Sequence, residues 1–119
     1  MQTTLLKCNF RYPSGRIYPG DVVDEAVKEF NKEHPEGMSL IFRDAAGNLE
    51  KVGKVTDLHI NDEAALQGTV AFEDTPKGNE LKNKTLSVDL MAEGDWDFVS
   101  GLVRRLNIIN SVITDVKEG

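Results

Sequence analysis

Few residues of this chain are of the types that perform chemistry, and two of them lie on predicted strands. Ser87 and His59 each stand between two apolar residues in an alternating pattern. A serine becomes a nucleophile only when a base lies beside it, and His59 is the strand-borne base that could be arranged next to Ser87. Nothing in the local sequence demands that arrangement, so a structural role is the simpler interpretation of each residue.

The other reactive residues do not form a recognisable metal or cofactor site. Asp57 and His59 share one face of a predicted strand, but two ligands fall short of a metal site, and two histidines with one cysteine have no zinc spacing. The run Pro76-Lys77-Gly78 lacks the extended glycine stretch of a phosphate-binding loop. We therefore expect neither a metal nor a cofactor.

The length and charge of the chain exclude several function classes. The 119 residues suit one domain, residues 1–119, with a single core. The formal net charge of −6 repels phosphate backbones, which disfavours nucleic acid as a partner. No apolar run approaches the roughly 20 residues that span a bilayer, and no signal peptide is evident, so we expect an intracellular protein without a membrane partner. The single Cys8 is expected to be a core residue.

A strand and then a helix are predicted at the N-terminal end. Residues 3–10 alternate loosely, and Tyr12-Pro13-Ser14-Gly15 has the composition of a turn. Asp21 is the natural N-cap of a helix that ends at His34-Pro35, because the residue before a proline avoids the helical region. The apolar stripe of this helix consists of Val22, Val23, Ala26, Val27 and Phe30.

From residue 38 onward the apolar pattern has a period of two, which is typical of strands. We predict strands over residues 38–42, 50–61, 66–72 and 86–90, and a helical turn or loop over 74–82. In the second strand Val52, Leu58 and Ile60 share one face and Val55 falls on the other. This break indicates a bulge near Gly53.

The C-terminal segment is predicted to hold a short helix and a strand. Phe98, Leu102 and Val103 have fair helical spacing within residues 95–105, where Trp96 would cover the core. Residues 107–116 are rich in β-branched types and indicate a strand or a pair of strands. One main helix near the N-terminus with about five to seven strands indicates an α+β domain built on an antiparallel sheet or small barrel.

The most specific stretch is Ser14-Gly15-Arg16-Ile17-Tyr18-Pro19, which leads directly into the predicted helix. With that helix it resembles the head-maturation (prohead) serine proteases of tailed phages, which carry an Asn-Gly-Arg-Ile-Tyr-Pro-like segment before such a helix. Three later segments resemble the same family in order and spacing, so that the likeness covers about residues 3–90: Val52-Gly53-Lys54-Val55-Thr56-Asp57-Leu58, Leu66-Gln67-Gly68-Thr69-Val70 and Asp74-Thr75-Pro76-Lys77-Gly78. The resemblance implies a prohead-protease-like fold.

The residues that would make such a fold a protease are not in their expected places. The resemblance puts the catalytic histidine after the helix, at about residues 39–48, where this chain has none. His34-Pro35 is the right dipeptide but comes directly at the end of the helix. The resemblance puts the nucleophilic serine on the strand after the Thr-Pro turn, which corresponds here to residues 86–90. Either Ser87 is that serine, displaced by two positions in the sequence, or Asp89 stands in its place. Because a positioned base is worth about 10²–10⁴-fold, we expect a chain that kept the fold and lost the chemistry.

The leading hypothesis is therefore a non-catalytic phage structural protein, an auxiliary or decoration subunit that binds the capsid. Its partner would be the phage capsid protein or another copy of the chain, so a homo-oligomer is allowed, in the virion or the host cytoplasm. A surface that binds a lattice must be apolar with a polar rim. Arg16, Tyr18 and Trp96 are the candidate protein-contacting residues.

Two alternatives stay open. The first is a minimal prohead serine protease that cleaves capsid or scaffold protein, with Ser87 as nucleophile and His59 or His34 as base. The second is a small phage-encoded module that binds a host protein. Cleavage that is lost in Ser87→Ala would decide for the protease.

Overall fold

The computed structural model describes residues 2–117, in which six strands and two helices follow one another. In chain order they are β1 (Gln2–Lys7), α1 (Gly20–Glu33), β2 (Met38–Arg43), β3 (Leu49–Ile60), β4 (Ala65–Phe72), α2 (Pro76–Leu81), β5 (Thr85–Trp96) and β6 (Val103–Lys117).

The strands form one curled sheet, a half-barrel, in the order β1-β4-β3-β2-β6-β5. Four of the five pairings are antiparallel, and β2 with β6 is parallel. The α+β class with its main helix near the N-terminus is thus confirmed, and the sheet is antiparallel, as expected, except for this one parallel pair. A parallel pair needs a long crossover, and the chain between β2 and β6, which contains β3, β4, α2 and β5, provides it.

Two irregularities in β3 direct its apolar residues to the core. The pairing of β3 with β2 shifts beside Gly53, as predicted, and its pairing with β4 shifts after Thr56. Asp57, in the second irregularity, has a φ of 55°. Because each extra residue reverses the side-chain alternation, Val52, Val55 and Leu58 are all buried, although strict alternation predicts Val55 on the opposite face.

Helix α1 packs on the sheet through the predicted stripe, of which Val23, Ala26, Val27 and Phe30 are buried. The prediction of Asp21 as N-cap is wrong, since the N-cap is Pro19, which has no side-chain donor or acceptor for the helix. The amide of Gly20 instead donates to Asn9 Oδ1 at 3.0 Å, so a side chain from an earlier loop satisfies this free amide.

Helix α2 confirms the predicted helical turn. Pro76 stands in its first turn, and Thr75 Oγ1 accepts from the amide of Gly78 at 3.1 Å, as an N-cap residue does. Leu81 from this helix joins the core. Cys8 is also in the core, and burial raises the pKa of its thiol, as expected for a packing residue rather than a nucleophile.

The prediction of a helix over residues 95–105 is wrong. β5 and β6 form a long antiparallel hairpin, paired from Thr85 with Lys117 to Trp96 with Val103. The spacing of apolar residues in this segment also fits the two ends of a hairpin. Ser100 and Gly101 disfavour a helix interior, and the ladder hydrogen bonds decide the outcome.

Candidate functional site

The hexapeptide that carries the resemblance lies in the N-terminal loop, residues 8–19, and part of this loop packs on the end of the β5–β6 hairpin. Ile17 forms an isolated parallel bridge with Leu102. The amide of Ile17 donates to the carbonyl of Gly101 at 2.9 Å, and its carbonyl accepts from the amide of Val103 at 2.9 Å. The loop therefore adds a short extra strand beside the hairpin end.

Arg11 strengthens this junction from the same loop. Its Nη1 donates to the carbonyl of Gly15 at 2.8 Å and to that of Ser100 at 3.2 Å. One guanidinium thus joins the two loops through their backbones. Such charge-assisted hydrogen bonds are stronger than neutral ones.

Arg16 and Trp96, two of the three candidate interaction residues, are in direct contact. The guanidinium carbon of Arg16 lies 3.6 Å from the centroid of the Trp96 ring, which is a cation–π stack. The Trp96 ring in turn lies 5.5 Å from that of Phe98, centroid to centroid. The stack connects the N-terminal loop with the tip, which we define as residues 97–102.

Asp97 organises the tip. Its Oδ1 accepts from the amides of Val99 at 2.8 Å and Ser100 at 2.9 Å, and its Oδ2 accepts from Arg104 Nη2 at 3.0 Å. The amide of Ser100, then the Arg104 guanidinium, then the amide of Val99 lower the pKa of Asp97 to about 2. The turn is therefore held by an ionised carboxylate at neutral pH.

Gly101 is required at the end of the tip. Its φ is +78°, and a Cβ at this position would collide with the carbonyl oxygen of Gly15. Only glycine allows both the left-handed backbone and the close approach of the two loops.

The tip presents two apolar side chains to solvent. Phe98 is 88% exposed and Val99 is 99% exposed, and the neighbouring Leu102 is 40% exposed. A scattered exposed apolar residue is ordinary, but an aromatic and two aliphatic side chains together on a fixed turn form a patch.

Tyr18, the third candidate, lies elsewhere. Its ring packs edge-on against that of Tyr12 at 5.7 Å between centroids, and the Tyr12 hydroxyl accepts from the amide of Lys7 at 2.8 Å. Both tyrosines line a groove of about 300 Å³ where the sheet edges β1 and β5 approach each other, and Asp89 lines it as well. Tyr18 therefore takes no part in the stack of Arg16 on Trp96.

The structure does not bring Ser87 and His59 together. They lie on β5 and β3, and two strands stand between these in either direction round the sheet, β2 and β6 or β4 and β1. Strands are about 4.8 Å apart, so the two exposed side chains are far beyond hydrogen-bond reach. Instead, His59 Nδ1 lies 2.8 Å from the carbonyl oxygen of Asp57.

His34 is also remote from Ser87. It caps the C-terminal end of α1, and its ring packs 4.9 Å from that of Phe30, beside residues 106–109 of β6. Ser87 pairs with Asp115 on the same strand, six or more residues away, which is about 20 Å of extended chain. Neither histidine is placed to activate Ser87.

Within residues 2–117, no cluster of three or more histidine, cysteine or acidic side chains is placed to hold a metal ion. No helix in the same range is long and apolar enough to cross a membrane.

Three comparisons, with protein-family models, with curated proteins and with solved structures, found no match to this chain. The function of the chain is therefore inferred from the geometry of the described residues.

Sequence reasoning misses the tip itself, because the apolar spacing puts Phe98 on the buried face of a helix. A signal is present in Asp97-Phe98-Val99-Ser100-Gly101, where Asp, Ser and Gly at these spacings are turn residues between two β-rich runs. As a turn, this segment places Phe98 and Val99 where little else can cover them.

Proposed function

We propose that this chain is a non-catalytic structural protein that docks on a partner protein through the tip of the β5–β6 hairpin. The observation that carries the proposal is the exposure of Phe98 and Val99 on a turn fixed by Asp97 and by the N-terminal loop. An ordered turn loses little conformational entropy on binding, so the apolar contact is retained as affinity.

The surroundings of the tip have the composition of an interface. Arg16 and Trp96 belong to the residue types that dominate binding energy, and their stack lies next to Phe98. Arg104 adds a charged rim, with its guanidinium paired to Asp97. An apolar centre with a polar rim is the usual anatomy of a docking surface.

The resemblance to prohead proteases supplies the biological context of the proposal. It points to a phage particle, in which the partner is the capsid protein or another copy of this chain. The separation of Ser87 from His59 and His34 supports a non-catalytic role over the protease alternative.

Co-sedimentation with empty capsids of the same phage tests the docking proposal. The unmodified chain should pellet with capsids, and the variant Phe98→Ser/Val99→Ser should bind at least about 100-fold more weakly, since burying each of the two side chains is worth about 1.5–3 kcal/mol. The matched control is Ala45→Ser/Ala46→Ser, in the exposed turn between β2 and β3. Equal binding by the tip variant, or no binding by the unmodified chain, would overturn the proposal.

Incubation with capsid and scaffold protein tests the non-catalytic part. We expect both substrates to stay intact. Cleavage by the unmodified chain that disappears in Ser87→Ala would replace the docking proposal by the protease alternative.

A further inference from the structure

The groove of about 300 Å³ beside Tyr12 and Tyr18, which we call the β1–β5 groove, contains no residue of the tip. Its apolar part consists of Leu5 and Leu6, which line it from β1, and of Leu90, which lines it from β5. These two strands are the edges of the sheet, and they approach each other here without forming a ladder. A group from outside the molecule can therefore enter between them.

Aromatic rings form one wall of the β1–β5 groove. The rings of Tyr12 and Tyr18 lie at 88° to each other, and Phe10 packs on Tyr12 at 5.1 Å between centroids. The three side chains thus form a row in which each ring fixes its neighbour. Aromatic rings carry negative π faces, and a cation within about 6 Å of a ring centroid is attracted to them.

This row of rings already holds one cation of its own chain. The ammonium of Lys7 lies 5.5 Å from the centroid of the Phe10 ring, in the neighbouring depression rather than in the β1–β5 groove. Within residues 2–117, no lysine or arginine makes the same contact with Tyr12 or Tyr18. The two rings that line the groove are therefore available to a cation from another molecule.

Asp89 gives the β1–β5 groove a negative charge. Among residues 2–117, it is the one charged residue that lines the groove. No ion pair within the same residues includes Asp89, whereas Asp95 and Asp97 on the same hairpin are both paired with arginines. An exposed carboxylate without a cationic partner beside two aromatic rings is the chemistry that selects a cation.

A guanidinium group fits this combination better than an ammonium does. A guanidinium is planar and weakly hydrated, so it can lie flat on a ring while its edge donates two parallel hydrogen bonds to a carboxylate. The hydrocarbon stem of an arginine would cover apolar surface such as that of Leu90. The hairpin shows both kinds of contact, since Arg16 stacks on Trp96 and Arg105 donates to Asp95 at 2.9 Å.

We infer that the β1–β5 groove binds an arginine side chain of a different protein, with the guanidinium between the Tyr18 ring and the Asp89 carboxylate. A side chain is favoured over a free ligand because about 300 Å³ is at the lower limit of the pockets that bury a whole ligand. The inference is independent of the proposed docking through the tip, because it uses a different surface. It also gives a role to Tyr18, which the stack of Arg16 on Trp96 does not use.

A second copy of the chain is disfavoured as the source of this arginine. Four of the five arginines in the sequence already make contacts within the chain, namely Arg11, Arg16, Arg104 and Arg105. A copy that used one of them would first have to break that contact.

Amide NMR spectra recorded during a peptide titration test the inference. The probe is the capped tripeptide glycine-arginine-glycine, and it should shift the amide signals of Ser14, Tyr18, Asp89 and Leu90. The matched peptide contains citrulline, which has nearly the shape of arginine without the charge. It should bind about 3- to 30-fold more weakly, because the cation–π contact and the ion pair both need the charge. A lysine peptide should also bind more weakly than the arginine peptide.

Substitutions separate the carboxylate of the site from its ring. Asp89→Asn and Tyr18→Leu should each weaken binding of the arginine peptide about two- to fivefold. Tyr18→Phe keeps the ring and should bind like the unmodified chain. Asp62→Asn, in the exposed turn after β3, is the matched control for the loss of charge and should also bind normally. The same spectra show whether each variant is folded, and Asp89→Asn decides the outcome if Tyr18→Leu does not fold.

Several results would overturn the inference. A citrulline or lysine peptide that binds as tightly as the arginine peptide would contradict a guanidinium site, and so would unchanged affinity in Asp89→Asn. Tetramethylammonium that binds more tightly than the arginine peptide would assign the groove to a small quaternary cation instead. Shifts of the same amide signals when the chain is concentrated without peptide would assign the groove to a second copy.

Discussion

Two turns of this molecule share one local design and differ in what surrounds them. In the turn between β2 and β3, Asp44 Oδ1 accepts from the amides of Ala46 at 2.9 Å and Asn48 at 2.8 Å, and Gly47 has a φ of +87°. In the tip, Asp97 and Gly101 have the same two roles. An aspartate that receives backbone amides and a left-handed glycine thus build both turns.

The difference lies in the tertiary environment. A Cβ on Gly47 would meet nothing within 4 Å, whereas a Cβ on Gly101 would strike the Gly15 carbonyl. The first turn displays the methyl groups of Ala45 and Ala46, and the tip displays Phe98 and Val99. Local residues therefore set the shape of each turn, while packing against a distant loop makes one of the two a rigid platform for exposed apolar groups.

The largest contrast between the two turns is expected from their glycines. Gly101→Ala should lower the free energy of unfolding by about 3 kcal/mol, since the left-handed backbone costs about 1–2 kcal/mol and displacing Gly15 breaks further hydrogen bonds worth about 1 kcal/mol each. Gly47→Ala should lose only the first contribution, about 1–2 kcal/mol. Urea unfolding measures the two losses in free energy of unfolding, provided that the m-value is unchanged. Equal losses would contradict close packing of the N-terminal loop on the tip.

The contributions of Asp97 and Asp44 to the stability of the fold should change with pH in the same direction but to different extents. The pKa of Asp97 in the fold is about 2, below its ordinary 3.8, so the ionised form stabilises the fold above about pH 4. This stabilisation is lost as the pH falls toward 2. Asp97→Asn should therefore be less stable than the unmodified chain at pH 7, and the gap should narrow between pH 4 and pH 2.

Asp44→Asn is the matched control for this experiment. The pKa of Asp44 is also lowered, chiefly by the amide of Asn48, but the groups that lower it include no arginine. Thermal unfolding across the pH series should show a smaller gap for this variant. A gap for Asp97→Asn that does not change with pH would mean that its carboxylate does not hold the tip.

A smaller effect is expected at the cation–π stack. Arg16→Lys should lower the free energy of unfolding by about 0.5–1 kcal/mol, because an ammonium cannot lie flat on the indole as a guanidinium does. Trp96 is the only tryptophan, so its emission spectrum reports on this contact directly and should shift. Arg43→Lys, beside the other turn, should change neither quantity. An unaltered emission in Arg16→Lys would contradict the stack.

The smallest effect on stability is expected at the exposed residues. Phe98→Ser and Val99→Ser should each change the free energy of unfolding by less than about 0.5 kcal/mol, as surface substitutions generally do. A loss of several kcal/mol, measured by urea unfolding, would show that these side chains pack within the chain and are not free to dock.

The sequence predicts the features that depend on neighbours in the chain. The stripe of α1, the helical turn within residues 74–82 and the bulge near Gly53 follow from periodicity and turn chemistry, and all three are present. The hairpin is not predicted because the apolar spacing from Phe98 to Val103 suits a helix as well as two strand ends. Only the ladder formed with β5 separates these possibilities.

The site depends on residues that are far apart in the chain. Arg16 and Trp96 are recognisable by type, but their contact spans 80 positions and follows from the parallel bridge of Ile17 with Leu102. Ser87 and His59 suit a catalytic pair by type, and the strand order keeps them apart. Residue type is readable from sequence, whereas proximity requires the topology.

Hydroxyl-radical labelling of the assembled protein, bound to capsids or to further copies, tests most directly whether the tip is the docking surface. It compares Phe98 with Leu49, which follows the other turn and is 62% exposed. Docking through the tip predicts that assembly slows the oxidation of Phe98 several-fold and leaves that of Leu49 unchanged. Oxidation of Phe98 at the same rate in the free and the assembled protein would contradict docking through the tip. Assembly that slows the oxidation of Leu49 alone would contradict it as well.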